Sequence, residues 1–108
     1  MSNTSSENVG SKMLFEDDKI RLWELVVEPG GTVDEHIHRL NYAYFVTSGG
    51  LLRFADGTNP DEFHDSDFKD NQISYVSVPE EGKIDGRITN IGTRPHRNYV
   101  IEVKKSPK

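Results

Sequence analysis

The sequence predicts an all-β domain in which antiparallel strands form a sandwich or a barrel. Short segments rich in β-branched and large apolar residues recur along the chain, and turn-forming residues separate them. No window repeats apolar residues at the i, i+3, i+4 and i+7 spacing of an amphipathic helix. Strands without intervening helices are expected to pair in antiparallel fashion.

Length and composition narrow the class of protein. A chain of 108 residues is expected to form a single domain. Its net charge of −5, without a basic stripe, argues against a nucleic-acid partner. The absence of cysteine excludes disulfides and thiolate metal ligands. The start of the chain lacks the pattern of a secretory signal, and no apolar run approaches the ~20 residues that span a bilayer. We therefore expect a soluble cytoplasmic protein without a membrane partner.

The first half of the chain contains the clearest strand patterns. Residues 1–12 are polar and are predicted to be a disordered tail, followed by one domain over residues 13–104 and a second tail over residues 105–108. The double glycine Gly49-Gly50 predicts a hairpin between the two strands that flank it. Strands are predicted at residues 20–27 ("IRLWELVV"), 32–38 ("TVDEHIH"), 42–48 ("YAYFVTS") and 51–55 ("LLRFA").

The second half begins with an acidic stretch over residues 61–72, predicted to be a connection with a short edge strand around Phe63. "EEGKIDG" is predicted to be a turn. His64 lies in the acidic connection and His96 in the predicted turn "TRPHRN", so neither is expected to be a ligand. Further strands are predicted at residues 73–79, 87–92 and 96–105.

The pair His36 and His38 is the main chemical signal. Side chains two residues apart on a strand point to the same side, with Cα atoms ~6.5–7 Å apart, so both imidazoles can enter one cavity. Imidazole is a suitable ligand for Zn, Fe, Ni, Cu and Mn, so the pair by itself does not select the ion. A complete site also needs at least a third protein ligand.

The stretch "GGTVDEHIHRLNYAYFVTSGG" resembles the first motif of the cupin superfamily, G-x5-H-x-H-x3,4-E-x6-G, with Gly30 opening it and Gly49 closing it. The second motif, G-x5-P-x-G-x2-H-x3-N, is matched more loosely by Pro79, Gly82 and Asn90. The resemblance covers residues 14–103 and implies a double-stranded β-helix, the jelly-roll barrel of the cupins. "RLWELVVEPGG" and "NIG" resemble the small single-domain cupins, including a group associated with β-alanine degradation.

The chain departs from the family at two ligand positions. Tyr42 stands where the family has its glutamate, and the two registers for the third histidine give Ile84 and Gly86. Asp85 lies between these registers and could supply a carboxylate. The resemblance thus implies a metal site at His36 and His38 with an incomplete ligand set, completed by Asp85 or left incomplete. It would hold one divalent transition metal (Fe, Zn, Ni or Mn) or none. The predicted ligand pocket comprises His36, His38, Tyr42 and Tyr44, whose phenols either contact a ligand or fill the barrel.

Three functions remain open at this stage, and the sequence does not decide whether the protein is an enzyme. The first is binding of a small polar metabolite in a barrel with a degenerate metal site. The second is a metal-dependent oxygenase, isomerase or lyase acting on a small metabolite. The third is a non-catalytic oligomeric interaction protein. A homodimer is expected. Phe45 would pack either on the other sheet or against the second subunit, and Trp23 and Leu25 would also face outward or pack under a loop.

Overall fold

The computed structural model describes residues 7–56 and 61–105. Within these ranges the regular structure is entirely β-strand, and no helix there is long and apolar enough to cross a bilayer. The strands are β1 Lys12–Glu16, β2 Ile20–Val27, β3 Thr32–Val33, β4 His36–His38, β5 Asn41–Ser48, β6 Gly50–Ala55, β7 Phe63–Phe68, β8 Ile73–Val76, β9 Lys83–Asp85, β10 Ile88–Asn90 and β11 His96–Val103.

These strands form three antiparallel sheets. The largest has five strands in the order β1-β2-β11-β5-β8, the second has four in the order β3-β10-β6-β7, and β4 pairs with β9 alone. Strands that are neighbours in space are mostly distant in sequence, which is expected when a chain winds back and forth between two facing sheets. The prediction of an all-β antiparallel fold is confirmed.

The core lies on the inner face of the five-stranded sheet. In β2 the alternating residues Trp23, Leu25 and Val27 are buried, as the two-residue period of a strand requires. Val100 of β11 lies directly opposite Trp23, and the indole N–H of Trp23 donates a 2.7 Å hydrogen bond to the buried Glu102 carboxylate. The expectation that Trp23 and Leu25 face outward is wrong, because each is only 6% exposed.

The core also reaches back toward the amino terminus. Val9 is 2% exposed and packs with Trp23, Tyr42 and Val100, although it precedes the predicted domain start at Met13. Of the predicted tails, residues 1–6 and 106–108 lie outside the described residues.

The double glycine is a corner between sheets, and the predicted hairpin is wrong. Strand β5 pairs with β11 and β8, whereas β6 pairs with β10 and β7. At Gly49 a Cβ atom would lie 2.0 Å from the carbonyl oxygen of Phe68, and Gly50 has φ +142°. Glycine is therefore required here for a close crossing of two chain segments.

Two further segments differ from the sequence expectation. The predicted strand over residues 32–38 is interrupted, because Thr32–Val33 pairs with β10 while His36–His38 pairs with β9. The acidic connection contains the full strand β7, paired with β6 from Gly50↔Phe68 to Ala55↔Phe63. Its charged residues are tolerated because β7 is a largely exposed edge strand. The predicted turn over residues 80–86 contains β9, which is the partner of the histidine strand.

Candidate metal and ligand site

The site is built on the two-stranded ladder β4–β9. His36 lies opposite Asp85 and His38 lies opposite Lys83. Because residues that face each other across an antiparallel pair project to the same side, this register brings all four side chains together. The four residues are separated by almost 50 positions in the sequence, so no short segment contains all of them.

Both histidines converge on one carboxylate oxygen. The Nε2 atom of His38 is 3.0 Å from Oδ2 of Asp85, and the Nε2 atom of His36 is 3.4 Å from the same oxygen. One ligand atom from each residue lies within 4.8 Å of the others. Both histidines are 3% exposed, so water has little access to their rings.

The backbone sets the tautomer of His36. Its Nδ1 atom is 3.2 Å from the carbonyl oxygen of Asp34, and a carbonyl can only accept a hydrogen bond. The Nδ1–H therefore donates to that carbonyl, and Nε2 either donates a second proton to Asp85 or presents its lone pair to a cation held beside Asp85. A lone pair facing a carboxylate requires a proton or a cation between them, and the carbonyl contact is the orienting bond common behind metal-ligating histidines. His38 has no such contact, since its buried Nδ1 has no hydrogen-bond partner within the described residues.

Asp85 is the electrostatic centre of the site. Burial raises the pKa of its carboxyl, but hydrogen bonds from His36, His38 and Lys83, together with the charge of Lys83, outweigh burial and hold that pKa well below its ordinary value. The Lys83 ammonium contacts Oδ1, which leaves Oδ2 facing the histidines. Asp85 is thus a carboxylate at neutral pH and presents one oxygen to the imidazoles.

Tyr42, at the position where the motif resemblance implies a glutamate, is a neutral phenol. Tyr42 stacks on His38 with ring centroids 4.1 Å apart and 17° between the planes. Burial, with the negative charge of Asp85 beside it, raises the pKa of the phenol well above its ordinary value. Tyr42 consequently packs as a neutral aromatic ring against His38. The phenol of Tyr44 accepts a 3.2 Å hydrogen bond from Gln72.

A cavity of about 430 Å³ adjoins these residues. His36, His38, Asp85 and Lys83 contribute polar groups to its wall, and so do His96 and Asn98. The remaining wall is largely apolar, which is typical of a small-molecule pocket with a few placed polar groups. Its apolar lining residues include Leu25, Leu52, Phe54, Phe68, Val76 and Ile88.

His96 was expected to lie in a turn, and that placement is wrong, because the structure puts it on β11 with its ring in the cavity wall. It begins β11 and is 1% exposed, with its Nε2 2.8 Å from Oδ1 of Asn98 and its Nδ1 without a hydrogen-bond partner in the described chain. Burial lowers the pKa of His96, although the Asn98 contact opposes this, so the ring is neutral at pH about 7. The alternation of His96, Asn98 and Val100 in "HRNYVIEV" is the signal that could have placed His96 inside.

His64 lies at the rim of the cavity on β7 and is not part of the histidine pair. Its Nδ1 is 2.9 Å from the Asp56 carboxylate, and its side chain is 57% exposed. It stacks on Phe54 with ring centroids 5.1 Å apart. Its surroundings are therefore those of a surface ion pair.

Comparison with known proteins identifies the fold of this chain. No family model matches the sequence, and no curated protein does. A cupin domain from Bordetella pertussis Tohama I is similar in structure over 97% of this chain and 99% of its own, with a TM-score of 0.72 and 18% sequence identity. The chain has the cupin fold. An RmlC-like cupin family protein with a double-stranded β-helix from Methanocaldococcus jannaschii matches over 85% of this chain and 76% of its own, with a TM-score of 0.62 and 16% identity.

A third similar structure is that of a DMSP lyase from Ruegeria pomeroyi. It matches 85% of this chain and 42% of its own, with a TM-score of 0.55 and 11% identity. At such identities the likeness concerns the fold alone, because one fold supports many unrelated activities. The double-stranded β-helix expected from the motif resemblance is confirmed, and the function has to be argued from the site.

Proposed function

We propose that this cupin-fold chain binds a small polar metabolite in its cavity. We also propose that His36, His38 and Asp85 form a three-residue site for one divalent transition metal in the cavity wall. The observation that carries the proposal is the convergence of two buried Nε2 atoms on one carboxylate oxygen. Two histidines and one carboxylate are an established donor set for divalent first-row metals. The site has three protein ligands rather than four, because Tyr42 stands where the motif resemblance implies a glutamate ligand.

The donor atoms fit a metal after a small adjustment. Metal–nitrogen and metal–oxygen bonds of about 2.1 Å place neighbouring ligand atoms about 3 Å apart at right angles. The separations from Asp85 to the two histidines, 3.0 and 3.4 Å, are close to this value. The widest separation of 4.8 Å exceeds two bond lengths, so one ring must move by less than an ångström. The donor set accepts Fe, Zn, Ni or Mn without selecting one.

The wall of the cavity supports a small ligand with a polar end and an apolar body. The wall has polar groups on the β4–β9 ladder, at His96 with Asn98 and at His64 with Ser66, and most of its other lining residues are apolar. A bound metal would supply Lewis acidity toward a ligand oxygen or nitrogen. Lys83 adds a positive charge at the same place, which favours a carboxylate or another anionic group. The resemblance to cupins associated with β-alanine degradation makes β-alanine a suitable first probe.

Elemental analysis tests the metal site. The protein is purified without a metal-affinity tag, and Fe, Zn, Ni and Mn are measured in the wild type, His36→Ala and His64→Ala. We expect near-stoichiometric metal in the wild type and in His64→Ala, and loss of the metal in His36→Ala. His64 is the matched control because it also adjoins the cavity and a carboxylate but lies outside the cluster. A wild type that neither contains these metals nor takes them up on dialysis would overturn the metal site.

Ligand binding is tested separately. Calorimetric titrations with β-alanine and a panel of small amino and hydroxy acids are run on the wild type and on Ser66→Phe, which fills part of the cavity wall. We expect at least one probe to bind the wild type and to lose affinity in the filled variant. Binding that is unchanged by Ser66→Phe would place the ligand outside the cavity.

A metal-dependent oxygenase, isomerase or lyase is the second candidate. It is supported by the three-residue donor set, which leaves coordination positions for a substrate, and by the neutral imidazole of His96 in the same cavity. One similar structure belongs to a lyase. Turnover of a bound probe by the metal-loaded wild type, absent in Asp85→Asn, would favour this candidate over simple binding.

A further inference from the structure

Residues 7–11, which precede and join β1, form a segment that we call the N-terminal strap. Val9 lies at its centre and is 2% exposed, although it is not part of any strand of the described chain. Its side chain packs against three residues of the core, Trp23, Tyr42 and Val100. Val9 also forms part of the cavity wall, and Tyr42 beside it stacks on His38. The strap therefore supplies a wall residue of the cavity next to the proposed metal ligands.

One end of the strap is fixed to β2. A Cβ atom at Gly10 would lie 2.7 Å from the Cβ atom of Trp23, so the chain passes close over this strand. The N–H of Ser11 donates a 2.7 Å hydrogen bond to the carbonyl oxygen of Glu24, and its hydroxyl oxygen accepts a 3.1 Å bond from the N–H of Val26. The strap is thus anchored where it joins β1.

At the other end of the strap, Glu7 forms an ion pair with Arg39. The Oε2 atom of Glu7 is 3.3 Å from Nε of Arg39, and the two side chains are 60% and 47% exposed. Arg39 follows His38 in the sequence, so the pair lies beside the histidine strand β4. Such an exposed pair is solvated and stabilises little. Closure of the strap therefore depends strongly on the burial of Val9, and the part beyond Gly10 can open while Ser11 stays paired.

We propose that the strap is a movable wall of the cavity, which opens to admit a metal ion or a ligand and closes over it through Val9. This inference rests on the binding site proposed above. A ligand in the cavity adds apolar contacts to Val9, so its binding favours the closed strap, and closure in turn slows its release. An ordinary core residue would stabilise the fold without changing how fast a bound group is exchanged.

The single tryptophan of the chain reports the position of the strap without any ligand. Trp23 is 6% exposed and is in contact with Val9 and close to Gly10. In Val9→Ser the strap loses its buried apolar side chain, so we expect acrylamide to quench the fluorescence several-fold more efficiently than in the wild type. The control is Val103→Ser, which makes the same change at a valine that is 42% exposed. Equal quenching in all three proteins, with the fold verified by circular dichroism, would overturn the proposal.

Exchange of Zn²⁺ tests whether the strap controls access to the cavity. Zn²⁺-loaded protein is mixed with an excess of a chromogenic chelator, and the release of Zn²⁺ is followed by absorbance in a stopped-flow instrument. We expect release to be at least about 10-fold faster in Val9→Ser, because burial of a valine side chain favours closure by at least this factor. Uptake should accelerate to a similar extent, so the affinity changes less than the rates. A loss of affinity equal to the gain in release rate would mean that the substitution damages the site, and it would overturn the proposal.

Two further variants make the test independent of the Val9 substitution. Gly10→Ala retains the Val9 side chain but places a methyl group 2.7 Å from the Cβ atom of Trp23, so it should lift the strap and accelerate release as well. Glu7→Gln removes the exposed ion pair and should accelerate release at most about 5-fold. Unchanged release in both Val9→Ser and Gly10→Ala would overturn the proposal. A wild type that binds no Zn²⁺ would overturn the metal site instead, and the quenching comparison would then decide on the strap.

Discussion

The contacts His38–Asp85 and His64–Asp56 are nearly equal in length, but they differ in burial and in the number of groups that share the carboxylate. His38 and Asp85 are 3.0 Å apart with side-chain exposures of 3% and 16%. His64 and Asp56 are 2.9 Å apart with exposures of 57% and 49%. The first contact has a second histidine and a lysine on the same carboxylate, whereas the second lies at the solvent-exposed rim of the cavity.

The comparison shows that a short His–Asp distance does not identify a site. An exposed pair is solvated and screened, and it contributes little to stability or to ligand affinity. At Asp85 several donors compensate the cost of burying one charge, and each partner therefore has a large effect on the others. Burial and convergence distinguish the candidate site from the surface pair.

Removal of the central charge is expected to have the largest effect. Asp85→Asn keeps the shape of the side chain and removes its negative charge, so the affinity for Zn²⁺ should fall at least about 100-fold. The matched variant Asp56→Asn should change it less than about 2-fold, because its pair is exposed. Calorimetric titration of both variants with Zn²⁺ measures the difference. Equal losses of Zn²⁺ affinity in the two variants would contradict the prediction that only the buried contact contributes to metal binding.

Acidification is expected to affect the buried contact more than the exposed one. The pKa of Asp85 is lower in the folded than in the unfolded protein, so its contribution to stability is present above the unfolded value of about 3.9 and is lost as pH falls toward the folded pKa. In metal-free protein this contribution is on the order of 2 kcal/mol. Urea unfolding from about pH 6 to pH 3 should show a shallower decline for Asp85→Asn than for the wild type. Asp56→Asn should follow the wild type.

Removal of the lysine at the buried contact is expected to strengthen metal binding. The Lys83 ammonium contacts Asp85 and would repel a nearby divalent cation. Lys83→Met should therefore tighten Zn²⁺ binding about 10-fold, with the effect decreasing in high salt. Lys69→Met is the control, because Lys69 forms an exposed pair with Asp67 at 2.7 Å. Weaker Zn²⁺ binding in Lys83→Met would mean that the lysine supports the metal ligand.

The smallest effect concerns a histidine at neutral pH. Burial lowers the pKa of His96, so the unfolded state takes up its proton first and stability declines as pH falls below the unfolded value of about 6.5. The decline attributable to His96 should appear as the pH falls from about 7 to about 5. His96→Gln should flatten this part of the profile in thermal unfolding, and the exposed His64→Gln should leave it unchanged. If His64→Gln flattened the stability profile instead, the decline would be due to His64 and the prediction for His96 would be wrong.

Several elements could be predicted from local pattern. Strands β2, β5 and β11 overlap the predicted segments, because alternating apolar residues mark a half-buried strand wherever it pairs. The pairing itself was less predictable. The double glycine is typical of a hairpin, but β6 finds its partners in β7 and β10. Strand β7 was not predicted over its full length because its charged residues hide the alternation of apolar and polar positions. An edge strand can lack that alternation, since it needs no buried face.

The candidate site was likewise predictable only in part from the sequence. The spacing of His36 and His38 places both rings on one side of a strand, and the motif resemblance indicated a pocket there. Asp85 was proposed from its position between two registers, and the structure brings it to both histidines. Lys83 gave no comparable signal, because it joins the site through the β4–β9 register. His96 was assigned to the turn "TRPHRN", although the alternation along β11 places it on the inner face of that strand.

The sequence by itself determined the β class, the main strands and the histidine pair, because the two-residue period of a strand is a property of the local chain. Only the tertiary structure decided which strands meet, that Asp85 and Lys83 share the site, and that His96 faces the cavity rather than solvent. Those features depend on hydrogen-bonded ladders between residues far apart in sequence. Their register is selected by the packing of the whole barrel, and no short segment contains that information.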